Sequence, residues 1–101
     1  MDNTEFYNRT TILMGKHVDA DDPQSEIDDA KAFVKAFALW FEFDYFNEKD
    51  KWLIIKISYV NDNFFHEEVL RTIKFFMQFH DYSYIKSINE RRSVYEDNNL
   101  E

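Results

Sequence analysis

The chain has 101 residues, no cysteine, one glycine and one proline, with 45% hydrophobic and 19% aromatic residues and a formal net charge of −8. This is material for one domain with its own core. It excludes a disulfide scaffold, a thiol nucleophile, cysteine-based metal sites and glycine-rich phosphate loops, and it argues against nucleic acid, whose phosphates recruit Lys and Arg.

Residues 1–7 are expected to be loose. They show neither a basic n-region nor an apolar h-region, so no signal peptide is expected, and no apolar run approaches the ~20 residues of a membrane-spanning helix. Together with the absence of cysteine, this suits a cytoplasmic setting. A first strand is predicted over Arg9 to Val18, with Ile12 and Met14 on one face and Leu13 on the other. Gly15 inside it marks a bulge or a close approach of another group to the backbone.

Asp19 to Gln24 reads as a loop from its Asp and Pro content. A first helix is predicted from Ser25, with Ser25 and Asp28 in capping-box positions and acids in the first turn, where the helix dipole favours them. Ile27, Ala30, Val34 and Phe37 share a helical stripe. The helix is read to stop near Phe37. The competing reading is one long helix over residues 25–46, because Phe33, Phe37, Trp40, Phe41 and Tyr45 also fit a 3.6 period and no Gly or Pro interrupts them.

From Trp40 to Val60 the pattern switches to period two. Phe41, Phe43 and Tyr45 alternate with Glu42 and Asp44, and Leu53, Ile55, Ile57 and Tyr59 alternate with Ile54, Lys56 and Ser58. Aromatic and β-branched residues dominate, as strands prefer. This is a predicted β-hairpin. Pairing Asn47 with Lys51 would align Phe41, Phe43 and Tyr45 with Ile57, Ile55 and Leu53 on the core face and set Glu42 opposite Lys56. Trp40, Phe46, Trp52 and Ile54 would then lie on the other face.

Asn61, Asp62 and Asn63 stop the strand as helix N-cap types. A second helix is predicted from Phe64 to about His80, with Phe65, Val69, Ile73, Phe76 and His80 as its stripe, widened by Leu70 and Met77. Tyr82 to Ile88 reads as a fourth strand, and residues 90–101 as a loose tail. The order strand, helix, strand, strand, helix, strand predicts a single α+β domain with a ferredoxin-like βαββαβ sandwich: a four-stranded antiparallel sheet with both helices on one face. The long-helix reading gives βαβαβ instead.

Two partner-binding regions follow. The first is the acidic segment Asp19, Asp21, Asp22, Glu26, Asp28 and Asp29, suited to a basic surface. Residues 1–50 carry 12 acidic and 5 basic side chains, against 8 and 7 in residues 51–101, so the negative field is one-sided. The second is the aromatic set Trp40, Phe46, Trp52 and Ile54, since Trp and Phe are common interface anchors. The spacing of these aromatics does not match the motifs with which RNA-recognition domains stack bases.

No metal site is predicted. His17, His66 and His80 lack ligand spacing, and the acidic loop lacks the glycine and terminal Glu of a calcium-binding EF-hand. No cofactor motif, hydrolytic triad or nucleophile motif is present, so catalysis is not expected. The reading is a small acidic protein-binding domain, a stoichiometric inhibitor or immunity-type protein acting on a basic partner. The competing reading is a dimeric structural or regulatory subunit that uses the open sheet face.

Overall fold

Leu53, Ile55 and Ile57 lose all solvent exposure and Tyr59 keeps 2%. The strand that carries them is the axis of the molecule. The computed structural model describes residues 6–61 and 66–93. Its elements are β1 (Phe6–His17), α1 (Gln24–Ala36), β2 (Trp40–Asn47), β3 (Trp52–Val60), α2 (His66–Phe79) and β4 (Ser83–Ser93). They form a four-stranded sheet in the order β2-β3-β1-β4, with every neighbouring pair antiparallel. Ile12 and Met14 of β1 stand opposite Ile57 and Ile55 of β3. Ala30 and Val34 of α1 and Ile73, Phe76 and Met77 of α2 pack on this row to close one core. No helix among the described residues is long and apolar enough to cross a membrane.

The long-helix alternative fails at Ala36. Ala38 adopts a left-handed conformation (φ 55°), and the Leu39 amide donates back to the Val34 carbonyl at 2.9 Å. That is a Schellman stop with alanine where glycine is usual. The same device ends α2: Asp81 has φ 61°, and the Tyr82 amide donates to the Met77 carbonyl at 2.7 Å. Phe37 is therefore not a core residue but stands 55% exposed at the end of α1. The predicted Ser25–Asp28 capping box is also absent. Pro23 occupies the N-cap without a side-chain cap, and Asp22 Oδ1 accepts from the Gln24 amide at 3.0 Å. Proline is favoured at helix starts because its missing N–H would go unbonded there anyway.

The hairpin forms with a different register near its turn. Phe41 and Phe43 pair with Ile57 and Ile55, and Glu42 with Lys56, as predicted. A bulge then inserts Asp44, so Tyr45 faces Ile54, Phe46 faces Leu53 and Asn47 pairs with Trp52 rather than Lys51. Phe46 consequently packs against the core, and Tyr45 moves to the open face at 51% exposure. The exchange buries the apolar ring and leaves the tyrosine hydroxyl in water, while Asp44 meets Lys56 Nζ at 3.4 Å. Asn47 Oδ1 holds the turn by accepting from the amides of Lys49 (2.9 Å) and Asp50 (3.2 Å), a common use of Asn in reversals.

β1 and β4 are longer than predicted. Phe6 and Tyr7 pair with Ser93 and Arg92, so these ends are ladder rather than loose chain. The predicted helix start at Phe64, the stripe residue Phe65 and the tail beyond residue 93 lie outside the described residues.

Candidate functional site

The open face of the sheet is largely covered by its own side chains. The Trp52 indole lies on Gly15 so closely that a Cβ there would sit 2.7 Å from Cζ2. That is the close approach the lone glycine implied. Trp40 carries the Arg9 guanidinium 4.5 Å above its ring and Tyr7 at 6.3 Å. Burial, and then the Arg92 charge, lower the Arg9 pKa below the usual arginine value. Beneath these rings Leu13, Thr11 and Ser58 are buried, and the two hydroxyls hydrogen-bond at 2.8 Å. Trp40, Trp52 and Ile54 thus share a face, as predicted, but Phe46 is on the other side of the sheet. Trp40 and Tyr45 are exposed on this surface, as are Val60 and Ile88 toward its other strands.

The acidic segment does not form one patch. Asp21 is bonded to Lys51 in the hairpin turn, and that contact lowers its pKa below the usual carboxylate value. Asp19 sits 3.4 Å from His17 Nδ1. Asp22 holds the start of α1, and Asp28 accepts from Gln24 Nε2 at 2.8 Å. Glu26 and Asp29, one turn apart on α1, point elsewhere, toward the end of α2.

An apolar groove lined by phenylalanines was not predicted. Phe33, Phe37, Thr72, Phe75, Phe76, Phe79 and His80 line a groove of about 290 Å³ between α1 and α2. Its floor is Phe33 stacked on Phe76 at 4.3 Å. Its rim is Phe37, Phe75 and Phe79, which are 55%, 69% and 73% exposed. Phe75 and Phe79 are four residues apart and stack at 6.4 Å. They lie off the α2 core stripe, and two phenylalanines on what should be a polar helix face were the signal in the sequence. Glu68 borders the neighbouring cleft beside Phe37 and Thr72.

At the other end of the groove, the stop of α2 brings His80 and Tyr82 together over Phe76, at ring distances of 4.6 and 5.6 Å. Glu26, Asp29 and His80 each place a ligand-type atom within 4.8 Å of the others. Lys16 Nζ lies 3.0 Å from Glu26 Oε2 and 5.3 Å from the Tyr82 ring centroid. Tyr82 is 7% exposed, and its hydroxyl has no hydrogen-bond partner among the described residues. Burial, then the charges of Glu26 and Asp29, push its pKa upward. Comparison with protein-family models, curated proteins and solved structures returns no match.

Proposed function

We propose that this chain is a ferredoxin-like protein-binding domain whose groove between α1 and α2 takes an apolar segment of a basic partner, and that it acts as a small acidic stoichiometric inhibitor rather than as an enzyme. The observation that carries this is the exposed rim of Phe37, Phe75 and Phe79 around a preformed groove. Large contiguous apolar surface on a small domain marks an interaction site, and aromatic side chains near the centre of such a site supply most of the binding free energy.

Charge favours a basic partner over a second copy. Glu68 lies near one end of the groove and Glu26 and Asp29 near His80 at the other. Two copies would bring together net charges of −8 each, whereas a cationic partner is steered in. The dimer through the open sheet face is less favoured, because Trp52 is seated on Gly15 and Trp40 under Arg9.

The test is an NMR titration with two amphipathic helical peptides, one of Leu and Lys and one of Leu and Glu. The Leu–Lys peptide is expected to shift Thr72, Phe75, Phe79 and His80, to bind more weakly at high salt, and to lose affinity at least tenfold in Phe79→Ser. Equal binding of the Leu–Glu peptide, or shifts centred on Trp40 and Tyr45, overturns the reading. So does a sedimenting dimer that Phe79→Ser dissociates, which assigns the groove to a second copy.

A further inference from the structure

We propose that Glu26, Asp29 and His80 form a binding site for a divalent first-row metal ion of the zinc type, with Tyr82 beside it, clamping the start of α1 to the end of α2. The proposal stands apart from the reading of the groove and survives its failure.

Three donor atoms, two from α1 and one from the residue that follows α2, converge within 4.8 Å. A tetrahedral ion with bonds of about 2.0–2.1 Å needs its ligands roughly 3.3 Å apart, so the set must close by at most about an ångström and a half. Asp29 is exposed and free to supply that movement. The His80 ring is already oriented by its tilted contact with the Phe76 ring, and the left-handed turn at Asp81 fixes the backbone between His80 and Tyr82.

Acidic residues that gather on a surface are common without an ion. The second observation is Tyr82. Its side chain is more than nine-tenths buried, its hydroxyl lacks a partner among the described residues, and it lies within electrostatic reach of both Glu26 and Asp29. A buried unbonded hydroxyl costs about 1–3 kcal/mol. A metal-bound water between the ion and the phenol would satisfy it and would fill the fourth position beside the three protein ligands.

The donor chemistry selects the metal. Two carboxylates and an imidazole suit zinc and its neighbours, whereas magnesium and calcium prefer all-oxygen sets. Lys16 is the resident counter-charge on Glu26. It competes with the ion, so removing it should tighten binding.

The experiment titrates the full, untagged chain with zinc chloride alone, by calorimetry and by long-range ¹H–¹⁵N spectra of the imidazoles. One equivalent is expected to bind saturably and to shift the ring nitrogens of His80, but not those of His17 or His66. Asp29→Asn and His80→Gln should each weaken binding tenfold or more, Tyr82→Phe severalfold, and His17→Gln not at all. Lys16→Gln should strengthen it. Asp29 is a surface residue, so its variant keeps the fold, which circular dichroism verifies. Absence of saturable binding overturns the proposal. So does unchanged affinity in both Asp29→Asn and His80→Gln, or displacement of zinc by an equal concentration of magnesium, which would show a diffuse acidic surface.

Discussion

Replacing Gly15 with alanine tests the contact that shapes the open sheet face. A Cβ built there lies 2.7, 2.8 and 2.9 Å from Cζ2, Cε2 and Nε1 of Trp52. Carbon atoms rest about 3.5–4.0 Å apart, so the indole must retreat by about 1 Å as a rigid plate. Overpacking of this kind costs about 1–3 kcal/mol. Against it, glycine in a strand is about 0.5–1 kcal/mol worse than alanine through backbone entropy, and Gly15 does not occupy a positive φ that would penalise alanine. The net expectation is a loss of about 0.5–2 kcal/mol, read by urea denaturation followed through tryptophan fluorescence. In a Trp52→Leu background the clash is gone and Gly15→Ala should stabilise by about 0.5–1 kcal/mol. The coupling between the two positions is then about 1–3 kcal/mol, within the range of residues in contact. If Gly15→Ala raises stability with Trp52 present, the indole is not seated on that backbone and the account of the open face fails.

Ala38→Gly relieves a left-handed residue that ends α1 and should raise stability by about 1 kcal/mol in the same urea assay; Asp81→Gly should gain less, because Asp tolerates that region better. Deleting Asp44 removes the bulge residue and leaves Phe43, Tyr45 and Phe46 on their present faces. The cost should not exceed the ~0–1 kcal/mol of its partly exposed pair with Lys56, and two-dimensional NMR should show the same Phe46–core contacts. Tyr59 is buried against the core, and its hydroxyl meets His66 Nδ1 at 2.8 Å. Tyr59→Phe should cost about 1 kcal/mol at neutral pH. Burial raises the Tyr59 pKa, so the folded state holds the proton more tightly than the unfolded chain does. The resulting stability is complete below pH ~10 and falls as pH climbs past it through the folded value. Urea midpoints at pH 8, 10 and 11 should decline less steeply in Tyr59→Phe.

The partition between core and surface was legible where period two or 3.6 ran uninterrupted. Leu53, Ile55, Ile57 and Tyr59, with Ile12, Met14, Ala30, Val34, Ile73 and Met77, occupy the faces their spacing assigned. Gly15 was legible as a point of close approach because glycine weakens a strand unless something needs the space. The register near the hairpin turn was not legible. Sliding one residue exchanges Tyr45 for Phe46, two aromatics of similar size, and the choice rests on which of them meets Leu53 and the helices above. The scattering of the acidic segment was not legible for a similar reason. The carboxylates between Asp19 and Asp28 are divided among separate partners, some local (His17 and Gln24) and some from other elements (Lys16 and Lys51).

By itself the sequence determined the element order, the composition of the core and the negative field, because each is set by residue types and short-range period. The tertiary structure alone decided the stops at Ala38 and Asp81, the bulge at Asp44, the groove rimmed by Phe37, Phe75 and Phe79, and the meeting of Glu26 and Asp29 with His80 and Tyr82. Those features arise where packing across the chain outweighs local preference. A left-handed alanine or a displaced strand costs only about 1–2 kcal/mol, less than the burial of the aromatic side chains it permits.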